Sequence, residues 1–309
     1  MSRILITGSQ GYLGKQVVSA LAGKHQVFGI DIIDAEPPHY HYRRMDIRSQ
    51  ELVGFMGEAG IEQVVHLASI VTPSQDRARD YDIEVNGTRN LLDACVTNGV
   101  NHLTVTSSGA AYGYHADSPD WLTEIDPVRG NYHFSYSYHK RKVEEMLADF
   151  RQSVPQLHQL ILRPGTILGK ETDNLITRLF KKSTLLAVQG SDSPFVFILD
   201  KDVADIVVTG VDERKTGIYN LAGDGALSMD EIAAILNKPV RTLPAWLLKV
   251  ALWVGQRLHL TPYGPEQLDF LRYRPVLSNR ALKEQFGFTP SMNSRQVFEY
   301  YAHHQGMLP

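Results

Sequence analysis

The 309-residue chain has a single cysteine, Cys95, so it can hold neither an internal disulfide framework nor a multi-cysteine metal site. That cysteine lies in the helical run "NLLDACV", where a small core residue is expected, and a reducing cytoplasm is the expected compartment. Excess charge of one sign is also missing. The chain carries 31 Lys and Arg against 34 Asp and Glu, a net charge of -3 that gives no overall field to recruit nucleic acid or an anionic membrane. A small molecule is the expected partner. Long apolar runs are absent as well. The most membrane-like stretch, "PAWLLKVALWVGQRLHL" at 244–260, is interrupted by Lys249, Gln256 and Arg257, and falls short of the roughly 20 residues that a span requires. It is expected to be a helix packed within a small C-terminal lobe, with contact to a membrane surface or a partner as the alternative. The first apolar run begins at Ile4 and meets Gly8 after a few residues, so no secretory leader is expected. No repeat, low-complexity tract or long linker occurs.

To about residue 165, short β-rich runs alternate with longer helical patterns, the signature of a parallel sheet covered by helices. The expected strands are "RILIT", "QVFGID", "EQVVHLA", "HLTVTS" and "HQLILRP", with helices starting near Gly11, Ser49, Glu84 and Tyr136. Asn98 and Gly99 stop the third helix in the manner of a C-cap. Beyond residue 165 come a helix from Asn174, the strand "FVFIL", the helix "DVADIVVTGV", the strand "IYNL", and then mostly helices. The fold class is therefore α/β, a doubly wound parallel sheet with a smaller, mostly helical C-terminal lobe. Ligands of such sheets bind outside the carboxyl ends of the strands.

Two motifs carry chemistry. "TGSQGYLG", residues 7–14, follows the first strand and opens the first helix. Gly8 permits the tight turn, Gly11 the approach of backbone to a pyrophosphate, and Gly14 close helix-on-strand packing, with the helix N-terminus facing the phosphates. The next strand ends in Asp31, whose carboxylate can accept both ribose hydroxyls of an adenosine and would repel the 2′-phosphate of NADP, so NAD is expected. Arg43 and Arg44, next to Asp46 in "RRMDI", are read as solvated charge. The second motif is "SYSYHKRK", 135–142, in which Tyr136 precedes Lys140 and Tyr138 precedes Lys142 by four residues. On a helix either pair sets a phenol one turn from an ammonium that favours the phenolate. The spacing alone leaves both registers open, together with a merely polar helix face.

These residues resemble the extended short-chain dehydrogenase/reductase family, which includes the NAD-dependent nucleotide-sugar epimerases and dehydratases. The resemblance runs in order through "TGSQGYLG", "VVHLAS", "VNGTRNLLDAC", "TSSGAAYG", the tyrosine-lysine pair, "LRPGTILG", "DVADIV" and "YNLAGDGALSMDEIA", and so covers most of the chain. It implies a Rossmann NAD-binding domain over 1–165 with return segments near 195–220, and a predominantly substrate-binding lobe over 166–309. It also implies that the lysine is followed four residues later by a glutamate. Lys140 has Glu144 there and Lys142 has Met146, which selects Tyr136 and Lys140. By the same resemblance Tyr136 is the proton acceptor, Lys140 supports it and bonds the nicotinamide ribose, and Ser108 holds the substrate oxygen. The cofactor set it implies is Gly8, Gly11, Tyr12, Leu13, Gly14, Asp31, Asp46, Ile47, Leu67, Ala68, Asn86, Tyr136, Lys140 and Pro164, with no metal. A homodimer paired through the helices near 84–98 and 136–153 is implied too.

Three function classes remain: a nucleotide-sugar epimerase, a simple NAD-dependent dehydrogenase or reductase of another alcohol or ketone, and a non-catalytic NAD-binding regulator. Retention of Ser108, Tyr136 and Lys140 argues against the last. Gly109 and Ala110 stand where the family's dehydratases carry an Asp-Glu pair, which disfavours dehydration. An arginine followed closely by Gly-Asp, common in the epimerases' C-terminal lobe, has here only Arg274-Pro275 as a counterpart, although Arg178, Arg272 and Arg274 could still meet an anion. The epimerase is favoured narrowly. His66 is expected to be a satisfied core histidine, and His303 and His304 to be tail.

Overall fold

Short aliphatic runs bounded by glycine, proline and polar residues become the strands of one sheet. The computed structural model describes residues 1–309 except 35–38, 73, 75, 259–263, 266 and 309. Its described residues cluster into two units, the first comprising Met1–Ser108, His139–Arg163 and Asp200–Tyr219, the second Gly109–Tyr138, Pro164–Leu199 and Asn220–Pro309.

Elements are numbered in chain order. The strands are β1 (Arg3–Thr7), β2 (Gln26–Asp31), β3 (His41–Arg44), β4 (Gln63–His66), β5 (His102–Thr106), β6 (His158–Pro164), β7 (Thr166–Leu168), β8 (Leu185–Val188), β9 (Phe197–Leu199), β10 (Gly217–Leu221) and β11 (Val240–Leu243). The helices are α1 (Tyr12–Leu21), α2 (Glu51–Ala59), α3 (Arg77–Tyr81), α4 (Gly87–Thr97), α5 (Ser135–Ser153), α6 (Leu175–Phe180), α7 (Asp200–Asp212), α8 (Met229–Leu236), α9 (Ala245–Arg257), α10 (Gln267–Arg272) and α11 (Ser294–His304).

In the first unit the seven-stranded sheet has the order β10-β6-β5-β4-β1-β2-β3. The pairs from β3 through β6 are all parallel. This is the expected doubly wound architecture, its strand order stepping outward in both directions from β1. Alternation along β1 sends Leu5 into the cluster shared with Leu52, Met56, Leu91, Leu92, Cys95 and Leu147 of α2, α4 and α5. These side chains are fully out of water, and each buried aliphatic contributes about 1.5–3 kcal/mol. Cys95 is thus the core residue expected of it, and burial alone pushes its thiol up, away from reactivity. Helix α4 stops as expected, with Asn98 as its C-cap and Gly99 in the left-handed region at φ +67°.

The short strand β3 was not expected, since "HYRR" shows no apolar alternation. It is held by its parallel ladder to β2 while three of its four residues are exposed. Arg43 and Arg44 on it pair with Glu51 and Asp34 at the surface, as solvated charges do.

The second unit packs two short parallel pairs, β7 with β9 and β8 with β11, around an aromatic core of Phe180, Phe195, Phe197, Phe298 and Tyr301. Helix α6 starts at Asn174 through a reciprocal capping box with Thr177, and α8 starts the same way through Ser228 and Glu231. Helix α9 corrects an expectation. It forms where the sequence places it and packs on the lobe through Leu248, with Ala245 partly buried beside it, but Trp246, Val250 and Trp253 stay exposed, so the packing expected of it holds for one side only.

Candidate active site

The cofactor end is built by the turn from β1 into α1. Gly8 holds φ +70°, and a side-chain carbon there would lie 2.8 Å from the Ala68 nitrogen. A Cβ on Gly14 would come within 2.0 Å of the Gly8 carbonyl oxygen, so both positions demand glycine for space. Gly11 is the N-cap of α1 and contributes no side chain to it, leaving the positive end of the helix for an anion. Leu67 and Ala68 follow β4, donating their N–H groups to the Thr7 carbonyl (3.2 Å) and the Thr7 hydroxyl (3.2 Å). Tyr12 donates its hydroxyl to Asp200 at the start of α7.

Asp31 ends β2 with its carboxylate already oriented. Oδ2 accepts the Gln10 N–H at 3.0 Å, and Oδ1 accepts those of Ile32 at 2.7 Å and Ile33 at 3.3 Å. Arg44 faces it in the ladder, yet its guanidinium is taken by Asp34 at 2.9 Å. Asp46 is gripped by Arg48, whose hydrogen bonds hold the carboxyl below its usual range against the opposing effect of burial. Arg48 also reaches Asp82 at 2.8 Å. Asn86 is exposed and donates to that same Asp82 at 2.8 Å, while the backbone of Ile47 accepts from Asn90 at 2.8 Å. The glycine cradle, the uncapped helix end and the oriented carboxylate together fit a dinucleotide.

Helix α5 carries Tyr136 and Lys140 one turn apart, with Tyr136 half-buried and Lys140 only 3% exposed. Lys140 Nζ lies 2.7 Å from Glu84 Oε1 in a buried ion pair and 3.5 Å from the Thr106 carbonyl. Glu84 comes from a π-helical turn, Asp82–Asn86, between α3 and α4; such turns are rare and concentrate at functional positions. Its carboxylate also accepts from the Ser69 hydroxyl at 3.0 Å and from the Ile70 N–H at 2.9 Å. Burial pushes the Glu84 carboxyl up, but the Lys140 ammonium and the Ile70 N–H outweigh it and bring it below the usual range.

The other register is arranged differently. Lys142 is one-third exposed and pairs with Glu145 at 2.7 Å, and Tyr138 packs edge-on against Tyr132. Glu144, one turn beyond Lys140, is buried against Arg163 of β6 at 2.5 Å and accepts from the Ser107 hydroxyl at 2.6 Å. Ser107 is therefore committed to anchoring α5, whereas the half-buried Ser108 follows it just past β5. Pro164 is the last residue of β6. Among the described residues no group of three or more His, Cys, Asp or Glu could hold a metal ion.

His66 is the satisfied core histidine expected. Thr88 donates its hydroxyl to the Glu84 carbonyl, so His66 Nε2 donates to Thr88 (3.0 Å) and Nδ1 accepts from Thr7 (2.7 Å), which requires a neutral ring. Burial lowers its pKa from 6.5 to about 4, with Lys140 adding to the effect and Glu84 opposing it. The unfolded chain binds this proton below its ordinary value and the folded chain does not. The stabilisation is therefore complete above pH 6.5 and disappears as pH falls to about 4. A contribution of about 3 kcal/mol is expected over that interval. Urea titrations of wild type and His66→Gln across it measure the difference, the variant showing the shallower pH slope.

Fold and cradle define a dinucleotide-binding α/β protein. The model of the NAD dependent epimerase/dehydratase family matches residues 4–222, so the chain belongs to that family, and NAD is its cofactor. An uncharacterized protein of Mycobacterium tuberculosis is 26% identical over 306 residues, covering 96% of this chain but only 29% of its own length. The N-acetyl-alpha-D-glucosaminyl-diphospho-ditrans,octacis-undecaprenol 4-epimerase of Escherichia coli O157:H7 is 29% identical over 187 residues, 58% of this chain and 53% of that protein. Among solved structures, the UDP-N-acetylglucosamine 4-epimerase of Bacillus cereus shares the fold with a TM-score of 0.73 at 20% identity, covering 99% of both chains. The Bordetella bronchiseptica enzyme WbmG, solved with NAD and UDP, does so with a TM-score of 0.76 at 18% identity, covering 99% of this chain and 95% of that one.

Glu84 is the residue that sequence reasoning passed over. Its only sequence signal is an acid between the apolar residues Ile83 and Val85 at a helix start.

Proposed function

We propose that the protein is an NAD-dependent epimerase acting at a secondary alcohol carbon of a nucleotide sugar. The observation that carries this reading is the buried ion pair between Glu84 and Lys140, one turn from Tyr136 on the same helix. Bound NAD supplies the hydride acceptor. Tyr136 takes the proton from the substrate hydroxyl, Lys140 places a positive charge beside the phenol, and Ser108 donates to the same substrate oxygen. Gly8, Gly11, Tyr12, Leu13 and Gly14 hold the pyrophosphate, Asp31 the adenosine ribose, Asp46 and Ile47 the adenine side, and Leu67, Ala68, Asn86 and Pro164 the remainder.

A nucleotide sugar is favoured by the 4-epimerase activity named for the Escherichia relative and by two guanidinium nitrogens. Among the described residues Arg272 Nε and Arg274 Nε are buried with no hydrogen-bond partner, and a diphosphate would satisfy both. A second reading, dehydrogenation of a less polar alcohol, is favoured by Pro275 and Val276 where Gly-Asp would stand. Part of Arg274 is also already engaged, stacked 3.8 Å from the Phe195 ring centroid and bonded to the Ser193 carbonyl. Saturable stabilisation by a uridine or deoxythymidine diphosphate sugar tests the choice: at a hundred times Kd the fold should gain about 2.7 kcal/mol, and a flat thermal shift across such sugars would favour the second reading.

NAD should bind more tightly than NADP by about tenfold to a hundredfold, about 1.4–2.7 kcal/mol, because Asp31 opposes a 2′-phosphate. Asp31→Ala should narrow that ratio in a calorimetric titration, and equal affinities in wild type would remove the role. A cytoplasmic homodimer paired through 84–98 and 136–153 completes the reading, and light scattering at micromolar concentration tests the dimer.

A further inference from the structure

We infer that α9 docks on an anionic lipid bilayer, lying in its interface. At 100° per residue, Trp253, Trp246, Val250, Val254, Leu247 and Leu258 fall within about 140° of arc around α9 and its C-cap. The single buried residue, Leu248, lies on the opposite side, packed in the cluster with Val188 and Leu268. The apolar face of α9 therefore points outward. Trp246 is 68% exposed, Trp253 57% and Val250 51%, a contiguous stripe of a kind that soluble surfaces rarely carry without an occupant.

The charges beside the stripe say which occupant fits. Residues 240–258 contain Arg241, Lys249 and Arg257 and no acidic residue, in a chain whose net charge is -3. All three cations are exposed, with Lys249 at the edge of the stripe and Arg257 within its arc in the last turn, where a long side chain can reach headgroups while its stem stays apolar. Tryptophans beside lysine and arginine on one helix face are the residue types that sit at headgroup depth. A helix of 13 residues is about 20 Å long, too short to cross a hydrocarbon core of about 30 Å. Among the described residues no helix is long and apolar enough to cross a membrane. Lying in the plane of the interface is the arrangement that uses both the stripe and the cations. The overall charge of the chain, which offers no attraction, is overridden only locally.

The test is co-flotation of the full chain with vesicles of phosphatidylethanolamine and phosphatidylglycerol, and separately with phosphatidylcholine. Two of the three tryptophans lie on the stripe, so intrinsic emission reports its burial directly. The protein should float with the anionic vesicles with a blue shift of emission, and bind phosphatidylcholine at least tenfold more weakly. Trp246→Ser with Trp253→Ser should abolish flotation, and Lys249→Gln with Arg257→Gln should abolish the preference for anionic lipid. Circular dichroism of both variants should match wild type, since each replaced side chain is exposed. Wild type remaining in the dense fraction with anionic vesicles would overturn the inference, as would flotation untouched by the tryptophan substitutions. Light scattering that showed the double tryptophan variant converting a vesicle-indifferent dimer to a monomer would give the stripe to a second copy of the chain instead.

Discussion

Tyr136→Phe should reduce turnover by about a hundredfold to ten-thousandfold, the range expected for loss of a positioned proton acceptor, with NAD affinity nearly unchanged. The substitution removes one oxygen and leaves the ring packing in place. Tyr138→Phe is the control on the same helix, and it should cost little, because Tyr138 packs against Tyr132 and its lysine, Lys142, is already paired with Glu145 at the surface. Lys140 has no such freedom: it is 3% exposed and held at 2.7 Å by Glu84. Steady-state kinetics on the two phenylalanine variants separate the registers. Activity retained by Tyr136→Phe and lost by Tyr138→Phe would place the device one face away.

The second large effect is on stability. Glu84→Gln keeps the shape of the side chain but leaves the Lys140 ammonium buried without its counter-charge, a change that typically costs about 3–5 kcal/mol. Some of that loss would come from Ser69 and Ile70, whose donors would face a weaker acceptor. Adding Lys140→Met to Glu84→Gln removes the uncompensated charge and should recover much of the stability, while the loss of Lys140 abolishes turnover. Urea unfolding of the three variants measures this, and a Glu84→Gln midpoint equal to that of wild type would show that the pair carries no such burden.

Much of the first unit was legible in the chain. Strands β1, β2 and β6 run as expected over "RILIT", "QVFGID" and "HQLILRP", because an aliphatic run closed by glycine, aspartate or proline admits few other readings. Strand β3 was not legible, since nothing in "HYRR" sets a period and only the ladder to β2 defines it. Glu84 and Lys140 lie 56 positions apart, and no local pattern tells that one carboxylate will be folded onto the lysine; the π-helical turn that presents it is likewise a product of packing. Helix α9 shows a further limit. Its apolar residues lie nearly all round, so periodicity located the helix without saying which side meets the lobe; inward packing holds on the Leu248 side and not for the tryptophans.

The most direct measurement is of a purified sample loaded with NAD and given a uridine diphosphate hexose, following the sugar by NMR and reduced nicotinamide by absorbance. Epimerisation must return the hydride to the sugar, so the epimer should accumulate over many turnovers while reduced cofactor stays below one equivalent of protein, and Tyr136→Phe should yield neither. Unchanged sugar, with reduced cofactor instead accumulating in proportion to a free alcohol supplied in its place, would contradict the epimerase assignment.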